Sequence, residues 1–364
     1  MGMNPQQPIA SMGAIPHDHA MRSVAVLAVI MLASCVSAPQ VPRNYANPVL
    51  NADFPDPSVI RAGRRYYAFG TQGGDPVRNI QVAVSDDLVH WQAIGDALPV
   101  KPSWASRTQD FWAPDVMAAE GRYYLYYSAK PDAALTDASR GLCLAVATAE
   151  RPEGPFRDSG RPLQCGEGFV NIDPHAFDDP ATGRRLLYWG SGFGPIKVRE
   201  LGADRMSFAA RSAEQPLVGT IKTDDEREYR RLVEGAWITR HSGYYYLFFS
   251  GDNCCGEKAH YAVMVARSRF ATGPFEVRTR PLYLVVEGND AWVAPGHNSV
   301  VTDAAGQDWL VYHGVDRRQP RARPTDDVNT RRVMLMDRLV WRGGWPEVTG
   351  KGPSSGPRPA PVTR

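Results

Sequence analysis

The sequence predicts an all-β protein, a five-bladed β-propeller with four antiparallel strands in each blade, and three observations predict it. A pattern of polar or acidic cluster, short apolar strand, glycine-containing turn and aromatic-rich strand occurs five times. The turn glycines, Gly63, Gly121, Gly183, Gly243 and Gly306, are 58, 62, 60 and 63 residues apart. Behind each hairpin lies further strand-like sequence, and nowhere does an apolar stripe at helical spacing outlast a turn or two. Each period therefore holds about four strands, and four-stranded units repeated about an axis form a propeller. A β-sandwich would account for the strands but gives no reason for a fivefold period.

Residues 1–35 read as a signal peptide. In "MRSVAVLAVIMLASC" a basic start at Arg22 precedes an apolar run from Val24 to Ala33, too short to span a bilayer. The closing Leu-Ala-Ser-Cys resembles a bacterial lipobox, in which Cys35 would be lipidated; Met21 is a second candidate start. Residues 36–46 form a tether, and the propeller occupies 47–349. Its inner hairpins are "FPDPSVIRAGRRYYAFG" (54–70), "APDVMAAEGRYYLYYSA" (113–129), "DPHAFDDPATGRRLLYWGS" (173–191), "EGAWITRHSGYYYLFFSG" (234–251) and "PGHNSVVTDAAGQDWLVYHG" (295–314). The strands behind them begin at "IQVAVSDDLVHW", "LCLAVATAERPEGPF", "IKVRELGADRMSF", "YAVMVARSRFATGPF" and "RVMLMDRLVWRGGWP", where alternating Val, Leu and Met mark half-buried strand. Residues 350–364, "GKGPSSGPRPAPVTR", have no apolar period and are expected to be a disordered tail.

An apolar content of 43% and a charged content of 22% are ordinary for a globular protein with a core. Net charge is +2 with no basic stripe, which argues against nucleic acid as a partner. Beside Cys35 there are four cysteines, Cys143, Cys165, Cys254 and Cys255, in an exported chain that permits disulfides. They allow three pairings; Cys143 with Cys165 is the expected bridge, a vicinal Cys254–Cys255 ring being strained. No C-x-x-C or H-x-x-x-H spacing suggests zinc.

In a propeller the first strand of every blade lines the central channel. Asp56, Asp115, Asp173, Glu234 and His297 precede their turn glycines by 7, 6, 10, 9 and 9 residues, so the repeat gathers them in one funnel. One Asp before a strand is ordinarily an Asx-turn. Four carboxylates and a histidine at one repeat position repel one another and call for a purpose. Glycoside hydrolysis needs one ionised carboxylate to activate water and one protonated carboxyl to protonate the leaving oxygen. Phe54, Phe111, Trp112 and Trp237 in the same segments could offer apolar faces to sugar rings, or pack between blades.

The motifs "NPVLNADFPDPSVI", "FWAPDV", "VNIDPHAFDD", "VEGAWI", "PGHNSVV" and "RRVMLMDRLVW…GGWP" together resemble glycoside hydrolase family 43 over essentially the whole folded part. The resemblance implies a five-bladed, inverting glycosidase with Asp56 as general base and Glu234 as general acid. It also implies Asp115 as the residue that raises the acid's pKa, and substrate contacts from Asp173 and from an arginine, Arg332 fitting better than Arg331. No cofactor is implied for the chemistry, although His297 matches a histidine that can ligate an axial calcium ion. The double-cysteine segment "FFSGDNCCGEKAHYAVMVARS" resembles arabinan-active members, "KAHY" departing from a usual Ser-Thr-Tyr-like stretch, and the Cys143/Cys165 pair resembles exo-acting arabinofuranosidases. The expected activity is hydrolysis of α-L-arabinofuranosyl linkages in arabinan or arabinoxylan, with a family β-xylosidase as the alternative. Many such xylosidases carry a sandwich domain after the propeller, which this sequence does not suggest. A non-catalytic glycan-binding lipoprotein is a further alternative, one that leaves the acids unexplained. The partners expected are arabinose- or xylose-containing saccharides, with membrane attachment only through the lipid. The chain is expected to be a monomer, periplasmic or anchored at the outer membrane. A dinucleotide site at "GSGFG" (190–194) is rejected, because the string leads into a strand and not a helix.

Overall fold

The computed structural model describes Met1, residues 44–278 and residues 283–363. The signal segment, Cys35 and most of the tether lie outside the described residues. Five antiparallel sheets follow one another along the chain. Blade one comprises Ser58–Ala62, Arg65–Gly70, Gln81–Ser85 and Gln92–Asp96. Blade two runs Phe111–Ala119, Arg122–Ala129 and Cys143–Ala149, and two short pieces, Arg157–Asp158 and Gln164–Cys165, share its outer edge. Blade three is His175–Asp178, Arg185–Trp189, Ile196–Glu200 and Gln215–Val218. Blade four is Glu234–His241, Tyr244–Asn253 and His260–Ser268, edged by Glu276–Val277 and Leu284–Val286. Blade five is Trp292–Thr302, Asp308–Asp316, Val333–Arg342 and Trp345–Val348. The fold is the five-bladed propeller expected from the period, and no described residue is in an α-helix.

Period-two alternation in the second strands explains their unbroken aromatic content. In blade four Tyr245, Leu247 and Phe249 pack towards blade three, while Tyr246 and Phe248 pack towards blade five. Blade two repeats this, with Leu125 and Tyr127 towards blade one and Tyr124 and Tyr126 towards blade three. A fifth cluster, including Tyr66, Val311 and Met334, joins blade five to blade one. The core is thus five interblade layers rather than one centre. Each predicted turn glycine has φ between 62° and 79°, the left-handed region that disfavours a Cβ.

The ring is also closed by the chain's ends. Asn44–Tyr45 pairs with Arg358–Pro359, and Leu50 bridges Met334. Asn47 Nδ2 donates to the Met336 carbonyl, to Asp337 and to Ser354. The expectation of a disordered 350–364 is therefore corrected for the described part: Ser354 N–H donates to Asp337 and Val362 N–H donates to Asp303. Composition misleads here because backbone-to-carboxylate bonds, not an apolar face, hold the segment. Cys143 and Cys165 lie directly opposite each other in the ladder and are joined by a disulfide, as are Cys254 and Cys255.

Candidate active site

Ladder register defines equivalent positions at the channel mouth. The inner strands first pair at Ser58, Asp115, His175, Trp237 and Ser299 once irregularities at 112–115, 234–237 and 296–299 are passed. Two residues earlier stand Asp56, Ala113, Asp173, Gly235 and His297, with φ of 57°, 47°, 60°, 63° and 50°. A left-handed residue in every blade turns the chain into the funnel. These positions converge. His297 Nδ1 lies 3.4 Å from Asp56 Oδ1 and 3.8 Å from Asp173 Oδ2, and Gly235 N–H donates to Asp173 Oδ2 at 2.9 Å.

Asp115 is not part of this layer, which corrects its expected place beside the acid. It sits two residues further down its strand, where its carboxylate accepts from Ser58 Oγ at 3.2 Å and from Ala176 N–H at 2.8 Å. His175 Nδ1 is 3.3 Å from the same carboxylate. Counting back from the turn glycine misaligns it because the turn of blade three is longer and the strand starts are irregular. Asp173 is the carboxylate that stands with Asp56 and Glu234.

The three acids of the funnel differ in charge state. Burial pushes Asp56 up, but the charge of Arg332 outweighs it and holds the carboxyl well below the usual range. Arg332 Nη1 donates to Asp56 Oδ1 at 3.1 Å, and Thr71 Oγ1 donates to Oδ2. Burial pushes His313 down to about 4, so this neutral ring accepts the Asp56 N–H at Nδ1, 3.2 Å away. Burial likewise lowers His297, against the pull of Asp56. Glu234 is raised by burial, the donated hydroxyls of Ser191 (2.7 Å) and Tyr261 (2.8 Å) pulling the other way and the Asp56 charge adding to the rise. Burial, then the charges of Glu234 and Asp56, push Asp173 well above its ordinary value. The Asp173–Glu234 pair therefore keeps a proton at pH values where Asp56 has lost its own.

Asp56, Asp173, Glu234, His297 and Arg332 line one cavity of about 440 Å³ together with Trp112, Phe169, Phe193 and the Cys254–Cys255 pair. Trp112 lies parallel to Phe169, ring centroids 6.0 Å apart, and Phe169 and Phe193 are exposed at the rim. Phe54, Phe111 and Trp237 do not reach this cavity, a correction to their expected sugar contacts. Phe54 and Phe111 are fully buried in interblade layers, and Trp237 stacks on His175 at 4.1 Å. Alternation along the strand sends Phe111 into the core and its neighbour Trp112 to the funnel. Arg332 is the arginine at the site, whereas Arg331 binds Asn51. Sequence alone does not single out Ser191, Tyr261, Thr71 and His313. They sit on or just after second and third strands, where apolar neighbours mask a polar residue; only the "GSGFG" string hints at Ser191.

A carboxylate lowered beside an arginine and a buried carboxyl raised above its ordinary value, in an aromatic-rimmed propeller funnel, are the pair that a glycoside hydrolase needs. Residues 45–346 match Glycosyl hydrolases family 43, and the chain belongs to this family of inverting glycosidases. It is 30% identical over 322 residues to the extracellular exo-α-(1→5)-L-arabinofuranosidase of Cellvibrio japonicus, covering 82% of this chain and 87% of that protein. It is 28% identical to the extracellular endo-α-(1→5)-L-arabinanase 1 of Bacillus subtilis, covering 80% and 86%. Among solved structures, Cellvibrio cellulosa α-L-arabinanase complexed with arabinohexaose superposes with a TM-score of 0.67 at 27% identity, over 82% of this chain and 96% of that one.

Proposed function

We propose that the chain hydrolyses α-L-arabinofuranosyl linkages of arabinan or arabinoxylan by single displacement. Asp56 takes a proton from water as its oxygen bonds to the anomeric carbon. Glu234 gives its proton to the departing glycosidic oxygen as that bond breaks. Solvent then returns the proton from Asp56 to Glu234, and the anomeric configuration inverts. Asp173, rather than Asp115, is the carboxyl that shares a retained proton with Glu234, and Arg332 keeps Asp56 ionised. Trp112, Phe169 and Phe193 receive sugar faces. Asp56, lowered beside Arg332, and Glu234, raised by burial, lining one cavity carry this reading. No cofactor enters it, water being the co-reactant. His297, the residue expected to ligate calcium, has its Nδ1 3.4 Å from Asp56 Oδ1 and 3.8 Å from Asp173 Oδ2. Among the described residues no cluster of three His, Cys, Asp or Glu side chains is arranged for a metal, and a hard cation takes six to eight oxygens.

The named extracellular relatives support an exported protein, and Cys35 is the proposed lipid anchor. Product analysis on linear arabinan, debranched arabinan, arabinoxylan and the nitrophenyl arabinofuranoside and xyloside tests the substrate. Inverted arabinose or arabino-oligosaccharides are expected, single sugars marking exo action. Xylose release alone would favour the xylosidase reading, and binding without release would leave a glycan-binding propeller. Glu234→Gln should lose release while retaining binding.

A further inference from the structure

A repeated contact joins each blade to the next at the funnel, and one junction departs from it. In four junctions the backbone N–H of the left-handed residue donates to a side chain standing two residues beyond its preceding blade's first ladder pair. Ala113 N–H donates to Thr71 Oγ1 at 2.8 Å, and Asp173 N–H to Ser128 Oγ at 3.0 Å. His297 N–H donates to Ser250 Oγ at 2.8 Å, and Asp56 N–H to His313 Nδ1 at 3.2 Å. Between blades three and four the capping position is Gly190, which has no side chain to accept anything. A Cβ there would lie 2.5 Å from the Pro195 carbonyl oxygen. The Gly235 N–H takes the Asp173 carboxylate instead.

The residue directly before Gly235 is Glu234, so the acid's backbone is tied to a titratable group where every other blade has a neutral cap. Its side chain must then be held by other means. Ser191, one residue past Gly190, donates to Glu234 Oε2, and Tyr261 donates to Oε1. Gly190 and Gly192, with φ of 141° and 67°, shape the loop that puts Ser191 there. We propose that Ser191 is a positioning residue for the proton donor: it fixes the carboxyl orientation and stabilises the carboxylate left once the proton has gone. This rests on Glu234 being the acid.

The sign follows from the bond. A hydrogen bond donated to the ionised form holds a carboxyl pKa down by about one unit, so its loss raises the acid's pKa. In Ser191→Ala the basic limb of the kcat profile should move up by about one pH unit, with kcat about tenfold lower and KM little changed. Ser191→Thr, which keeps a hydroxyl, should restore the limb. Ser250→Ala removes an ordinary cap and should lower the melting temperature while the limb stays in place. If Ser191→Ala fails to fold, Ser191→Cys, a weak donor, is read the same way with a smaller rise. An unmoved limb and unchanged kcat in the Ser191 variant overturn the proposal, as does equal loss in Ala and Thr variants. Glu234→Gln separates the readings: if it is inactive while Ser191→Ala behaves as wild type, only this inference falls. If Glu234→Gln still hydrolyses, the assignment of the acid falls with it.

Discussion

Asp56 adopts φ of 57°, a conformation Asn tolerates better than most residues, so Asp56→Asn isolates its chemistry from its geometry. Turnover should fall by about 10³, within the range for general-base removal, with circular dichroism and melting temperature unchanged; activity near wild type would refute the assignment. Arg332→Met removes the charge that holds Asp56 down. The base's pKa rises, so the acidic limb of kcat/KM should shift to higher pH. In Asp173→Asn Glu234 no longer shares a proton with a second carboxyl, so the raised titration of the pair is lost and the basic limb should shift to lower pH. Asp115→Asn should leave both limbs in place, because its carboxylate serves Ser58 and Ala176 one layer below. Asp56 and Glu234 are legible in the sequence because short polar motifs precede strands at a repeated position, and Arg332 only through the family resemblance. The exchange of Asp115 for Asp173 is not, since only ladder register tells which residue of each strand start faces the axis. Ser191 and Tyr261 are hidden among apolar residues whose neighbours face the blades on either side.

At the scale of elements, five glycine turns and five aromatic strands are readable because each is a local requirement repeated at a fixed interval. The split outer edges of blades two and four are not, as pairs of two or three residues leave no period to read. Gly121, at φ of 75° with open space where a methyl group would sit, tests the turn itself. Gly121→Ala should destabilise by about 1–2 kcal/mol from conformational strain alone, read as a lower denaturant midpoint at unchanged slope. The Cys143–Cys165 bridge closes a loop with a sequence separation of 22. Replacing both by serine should remove about 3 kcal/mol by chain-entropy reasoning.

At the scale of the whole molecule, the five interblade layers make every blade a neighbour of two others, so closure matters more than any single layer. Truncation after residue 349 would strip Asp337 and Asp303 of N–H donors from Ser354 and Val362. Each buried group left short costs about 1–3 kcal/mol, so melting should fall by roughly 5–10 °C. The binding of Asp56 has a consequence in time as well as in space. Its backbone partner His313 and its counter-charge Arg332 both belong to the last blade's stretch of chain. Asp56, the proposed base, is thus among the first residues of the fold to leave the ribosome, yet its partners are among the last. A nascent chain carries the aspartate before it carries Arg332 and His313, so the proposed site is assembled only once the last blade has been made.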